Sequence, residues 1–188
     1  QYCDPATENC PNAIISAVPF LRIVPDARSA AMGDGGIGIS ADANSMHFNA
    51  SKLAFVENDL GLAASYSPWL RSLGLQDVYL AYLAGYKKLG DNQTIGASLR
   101  FFSLGDLQFT DINGLSLGQG SPNEFEVAVA YARKLSTKFS AGLTGKFVYS
   151  NLAGGQQIDN IDIVPATSGA VDISFTYETP VNIADKSN

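Results

Sequence analysis

A transmembrane antiparallel β-barrel, an all-β fold, is what this sequence predicts, on three observations. Six segments alternate with a period of two, charge is sparse, and the connections between segments are alternately long and short. Charged residues are 16% of the 188, against roughly 25% in an average soluble domain. Mean hydropathy is only +0.05, and no apolar run approaches the roughly eighteen residues a membrane helix needs. A barrel tolerates both values, because outward apolar residues alternate with inward polar ones and the average cancels.

The alternation is read segment by segment. Leu60, Leu62, Ala64 and Tyr66 share a face opposite Gly61, Ala63 and Ser65. Val78, Leu80, Tyr82, Ala84 and Tyr86 oppose Tyr79, Ala81, Leu83, Gly85 and Lys87. Ile95, Ala97, Leu99 and Phe101 oppose Thr94, Gly96, Ser98 and Arg100. Phe125, Val127, Val129 and Tyr131 oppose Glu124, Glu126, Ala128, Ala130 and Ala132. Phe139, Ala141, Leu143 and Phe147 oppose Ser140, Gly142, Thr144 and Lys146. Val171, Ile173, Phe175 and Tyr177 oppose Asp172, Ser174, Thr176 and Glu178.

Period two alone also fits a soluble sandwich. Two further features favour lipid. The polar faces are mostly Gly, Ala, Ser and Thr, whereas a water-facing sheet would carry more Lys and Glu. Tyr66, Tyr86, Phe101, Tyr131, Phe139, Tyr149 and Tyr177 fall near the ends of the apolar faces, as aromatic girdles at the two lipid–water boundaries do. Long links after the first, third and fifth segments, and short ones after the second and fourth, match extracellular loops alternating with periplasmic turns.

Residues 1–59 are expected to form a periplasmic or luminal segment of short helices, and 60–188 the first six or so strands. Asp26 caps a helix that Gly33 stops, and Asp42–Phe48 and Asn49–Ala54 read as two more capped helices. The glycines at 33, 35, 36 and 38 read as a flexible run. Six strands cannot close around such a plug, and an open sheet edge cannot sit in lipid. The chain is therefore expected to be the N-terminal half of its barrel, with further strands after Asn188 and with Gln1 a processed terminus. Cys3 and Cys10 bracket a Pro-containing polar turn. A local disulfide is the expectation there, and a metal site the weaker alternative, since the sole histidine, His47, is far away in sequence.

A net charge of −6 without a basic patch speaks against a nucleic-acid partner. One histidine and no Gly-x-Ser-x-Gly leave a hydrolytic triad little footing, and the glycine run lacks the Lys of a phosphate loop. Neither an enzymatic role nor a cofactor is expected. His47 is read as a packed or hydrogen-bonded plug residue, and Glu124 and Glu126 as solvated lumen charges or partners of Arg100. Trp69, Leu70 and Leu73 form an apolar patch after the first strand. Leu107, Phe109, Ile112, Leu115 and Leu117 form a second after the third strand. Both are unusual on a loop tip unless covered, so both are candidate partner-binding surfaces.

The run from Val18 to Asp34, VPFLRIVPDARSAAMGD, together with Asp42–Asn49 (DANSMHFN) and Tyr66–Leu70 (YSPWL), closely resembles the PorV family of type IX secretion proteins, within the wider FadL-like barrel group. Leu80–Tyr86, Arg100–Asp106 and Pro122–Phe125 extend the likeness, which runs from about Ala17 to Tyr177. The resemblance implies an outer-membrane protein that docks beside the translocon barrel protein. It would engage the C-terminal signal domains of secreted cargo and pass them to a surface attachment complex containing a sortase-like protease. Uptake of hydrophobic small molecules through a FadL-type lumen, with the helices as hatch, is the competing expectation; a soluble adhesin or carbohydrate-binding sandwich is a third. Where many relatives have Asn-Pro-Ala, this chain has Asn49-Ala50-Ser51, a loss of proline expected to loosen the plug.

Overall fold

A computed structural model describes residues 18–75, 77–110, 114–152, 157–158, 161–162 and 164–179. Six long strands form one antiparallel sheet: β1 (Leu60–Pro68), β2 (Val78–Gly90), β3 (Gln93–Leu104), β6 (Asn123–Lys134), β7 (Phe139–Asn151) and β10 (Ala166–Tyr177), in the order β1-β2-β3-β6-β7-β10. Two small hairpins stand apart from it, β4 (Leu107–Thr110) with β5 (Ser116–Gly120), and β8 (Gln157–Ile158) with β9 (Ile161–Asp162). The connections β1–β2, β3–β6 and β7–β10 leave one end of the sheet, and the tight turns at 91–92 and 135–138 close the other. β1 and β10 are the two edges among the described residues, and no described helix is long and apolar enough to cross a membrane.

Cross-strand partners point the same way, so the register fixes which side chains share a face. One row runs Leu62, Gly85, Ala97, Val129, Gly145; the next runs Ala64, Leu83, Leu99, Val127, Phe147. This face is open, with Leu62 75% and Ile173 71% exposed. Aromatic residues gather at both of its ends. Tyr66, Phe101, Phe125 and Tyr149 lie in one register row at the loop end, with Phe125 stacked on Tyr149 at 5.0 Å and Tyr79 bridging Tyr66 (5.3 Å) and Phe101 (6.0 Å). Phe139 stacks on Phe175 at 5.9 Å at the turn end.

The opposite face is covered by the chain that precedes β1. Pro19–Arg22 forms a 3-10 turn, α1 spans Ala27–Ala31, α2 Ser45–Phe48, and a second 3-10 turn Ala50–Phe55. Asp26 caps α1 through the Ser29 amide (2.8 Å), and Gly33, at φ +72°, follows its end. Leu53 is fully buried among Met46, Ala50, Tyr82, Ala84, Ala128 and Ala130. A second cluster, nearer the loops, joins Phe20 to Leu80, Phe102 and Val148.

Small residues on the covered face make room for this segment. A Cβ on Gly96 would stand 2.6 Å from Met46 Sδ, and one on Gly142 2.8 Å from the Ser51 amide nitrogen. Ser140 Oγ donates to Ser51 O (2.8 Å), the Ser51 amide donates to Ser174 Oγ (3.1 Å), and Asn49 Nδ2 donates to Phe175 O (3.0 Å). The loosening expected from Asn49-Ala50-Ser51 is thus not seen: Asn49 caps the turn by accepting from the Ser51 amide (3.1 Å), and Ser51 ties it to two strands.

Two further expectations are corrected. Tyr86 does not belong to the girdle. It is 7% exposed on the covered face, its ring occupying the space a Cβ on Gly61 would take. β2 turns its larger apolar set toward the N-terminal segment, because a face beneath an apolar plug must itself be apolar. The glycine run is not uniformly flexible either: a Cβ on Gly36 would fall 2.0 Å from the Phe48 ring, and its carbonyl accepts from Lys52 Nζ (3.0 Å).

Candidate functional site

The chemistry of the covered face concentrates at Arg100, whose strand β3 points it inward at the middle of the sheet. It is 3% exposed, and burial makes each guanidinium donor costly to leave without a partner or a countercharge. Nη1 donates to the carbonyls of Phe20 (3.2 Å) and Leu21 (2.7 Å), in the first 3-10 turn. Nη2 lies 2.7 Å from His47 Nδ1. Glu126, the register partner of Arg100 on β6, places Oε2 3.6 Å from Nε, an ion pair too long for a hydrogen bond. The Tyr82 ring lies beneath the guanidinium at 5.6 Å.

One side chain of the sheet therefore grips two separate parts of the N-terminal segment. Since guanidinium only donates, His47 Nδ1 accepts, and its remaining proton sits on Nε2. Burial first, then the Arg100 and Lys146 charges, push the His47 pKa down to about 4, with Asp26 opposing. His47 is the hydrogen-bonded plug residue expected of it, and Glu126 is the Arg100 partner that the shared strand face suggested. Glu124 accepts instead from Ser150 Oγ (2.6 Å), and Lys146 pairs with Asp172 (2.6 Å). Lys52, 3% exposed, has its pKa lowered by burial, with Asp42 and Glu178 opposing.

Both apolar patches sit on the long connections at the loop end of the sheet. Trp69 folds back: its amide donates to Val78 O (2.9 Å), and its ring meets Phe102 edge-on at 5.4 Å. That ring borders the Phe20 cluster and is 36% exposed, whereas Leu70, in a left-handed backbone conformation (φ 55°), is 49% exposed. Leu73 ends the 3-10 turn Arg71–Leu73. Leu107 and Phe109 lie on β4 and Leu117 on β5, with Leu107 42% and Leu115 67% exposed. The hairpin is bulged between Phe109 and Thr110. Ile112, Cys3 and Cys10 lie outside the described residues.

The family model for the type IX secretion system protein PorV matches residues 5–187, nearly the whole chain. The chain belongs to the PorV family. No curated protein matches it. PorV membership makes it a component of the type IX secretion system, and its strand-rich architecture agrees with an outer-membrane barrel protein. In this chain, sequence reasoning offered Glu126 as a partner of Arg100 and found His47 only separately. Their convergence could not be read from spacing, because 53 residues separate Arg100 from His47. The inward single Arg on a face of small residues was the one available sign. Lys52 gave none, since a lysine in a short helix ordinarily points to water.

Proposed function

We propose that this chain builds part of an outer-membrane barrel of the type IX secretion system, with no catalytic role of its own. It binds the translocon barrel protein and the C-terminal signal domains of secreted cargo, and passes cargo to the surface attachment complex with its sortase-like protease. The near-complete PorV match carries this reading. The sheet supports it physically. Tyr149 and Phe139, at opposite aromatic ends of β7, are ten residues apart, or about 34 Å of strand at about 3.4 Å per residue. At the usual tilt of roughly 40°, they span about 26 Å along the membrane normal, close to the ~25 Å apolar band of outer-membrane barrels. Because an unpaired edge cannot lie in hydrocarbon, β1 and β10 pair with further strands of the cylinder. Residues 18–59 then occupy the lumen, and the long connections face the cell exterior.

Partner contact falls to the long loops, which a rigid scaffold can present without cost to its core. Replacing Phe109 and Leu115 together by Ser is expected to cut recovery of translocon and cargo in native co-purification by about ten-fold or more, as loss of a well-packed anchor does. Heat-modifiable migration of the barrel should be unaffected. Unchanged recovery would remove the β4–β5 hairpin from the interface and leave Trp69, Leu70 and Leu73 as the surface to test. Uptake of hydrophobic molecules, the alternative, would need residues 18–59 to leave the covered face. Lost growth on fatty acids or aromatics after deletion would be its mark.

A further inference from the structure

The open face carries a furrow of about 720 Å³ with an almost wholly apolar lining. Its floor is Gly85 and Ala97, adjacent in register on β2 and β3, and Leu62 and Val129 continue that row to either side. Leu83, Leu99 and Val127 wall it toward the loops, and Ile95 toward the turns. Two consecutive small residues between bulky rows leave a channel of single-chain width, a size that holds one apolar ligand group.

Two basic side chains stand on the open face at the turn side of the furrow, at an end of the sheet that also carries Glu57, Asp59, Asp91 and Glu178. Lys87 lines the furrow, and Arg133, paired with Gln93 on the next open-face row, is exposed beyond it. Lys88, Lys134 and Lys138 cluster at the same end of a chain that carries twelve basic residues in all and a net charge of −6. Lys88 Nζ donates to Glu57 O (2.7 Å), and Lys134 lies over the Phe55 ring (5.3 Å). Lys87 and Arg133 make no ion pair among the described residues. Two cations at the mouth of an apolar channel, beside the Tyr131 hydroxyl that donates to Gln93 Oε1 (2.9 Å), match an amphiphile with an anionic head and a hydrocarbon tail.

We propose that this face holds one glycerophospholipid of the periplasmic leaflet, an acyl chain lying over Gly85 and Ala97 and the phosphate meeting Lys87 and Arg133. The site rests on the outer-membrane reading above, which puts the short turns at the periplasmic boundary. A chain in the furrow fills a depression that bulk lipid packs poorly, and the two basic side chains attract the phosphate.

Native mass spectrometry of the full-length protein, extracted from its own membranes in mild detergent and then delipidated, tests this. The wild type should retain a single glycerophospholipid adduct. Ala97→Leu, which fills the floor, and Lys87→Ala should each lower its occupancy about five-fold, the worth of one basic residue at a lipid surface. Gly145→Leu, on the open face where an added Cβ meets nothing within 4 Å, should retain it. Equal retention in all four proteins, no retained lipid in the wild type, or a protein cross-linked at Leu99→Cys in place of lipid would each overturn the site while leaving the barrel intact. Failure of the outer-membrane reading shows differently, as a full-length chain that stays folded and monomeric without detergent, and it would take the lipid site with it.

Discussion

Arg100→Ala is expected to release the N-terminal segment from the barrel wall and to cost about 3–5 kcal/mol, the usual penalty for removing one partner of a buried ion pair. The substitution leaves the 5% exposed Glu126 without its cation, the Leu21 carbonyl without its donor, the Phe20 carbonyl with the Ile23 amide alone, and His47 Nδ1 without its only described partner. The strands keep their own backbone ladder, so the barrel should still form and still migrate anomalously when unheated. The change should appear as rapid proteolysis after Arg22 and Arg28, both on the segment that Arg100 holds. Arg100→Met combined with Glu126→Gln removes both charges and should recover much of the loss, since the neutral pair leaves no uncompensated ion. Wild-type protease resistance in Arg100→Ala would mean that the apolar contacts of Phe20 and Leu53 and the hydrogen bonds of Asn49 and Ser51 hold the segment without it.

Acid should loosen the same junction through His47. Above pH about 6.5 the imidazole is neutral in folded and unfolded chains alike and does not bias the equilibrium. Between 6.5 and about 4 the unfolded chain takes up a proton that the folded chain refuses, because the imidazole is buried beside Arg100 and Lys146, so stability falls as pH falls. Below about 4 both forms are protonated and the loss is complete, at about 3 kcal/mol for a shift from 6.5 to about 4. His47 is the only histidine among these 188 residues, and the imidazole resonances that vanish in His47→Gln identify it by NMR of the full-length protein in a micelle. A midpoint near 4 is expected, with His47→Gln abolishing the stability loss between pH 6.5 and 4.5. A midpoint near the ordinary 6.5 would show that Arg100 and His47 do not share a buried contact.

Much of the fold was legible from period two, and the exceptions have a common cause. Five of the six strands have their apolar set on the open face, where alternation alone assigned it. β2 defeats the rule because Tyr82, Ala84 and Tyr86 meet Leu53 and Met46, so both of its faces are apolar and hydrophobicity cannot tell one solvent-like surface from the other. The small residues of the covered face were legible as a type but not as a purpose. Gly142 and Ser140 read as lining of a polar lumen, yet they receive the turn at Ser51. Only the N-terminal segment, lying more than a hundred residues away from Ser174 in sequence, explains them. The loop patches were found as residues, whereas their division into a folded-back Trp69 and a separate β4–β5 hairpin depended on backbone geometry that composition does not carry.

Single-cysteine spin labels placed successively from Val171 to Thr176 on β10, in the full-length protein reconstituted into liposomes, test most directly whether lipid wets one face of this sheet. Labels at Val171, Ile173 and Phe175 should collide readily with oxygen and rarely with a water-soluble nickel chelate. Labels at Asp172, Ser174 and Thr176 should be shielded from oxygen, giving an alternation of period two. Uniform accessibility along the strand, or an intact chain that folds in plain buffer with those three apolar positions buried, would contradict a membrane-spanning sheet.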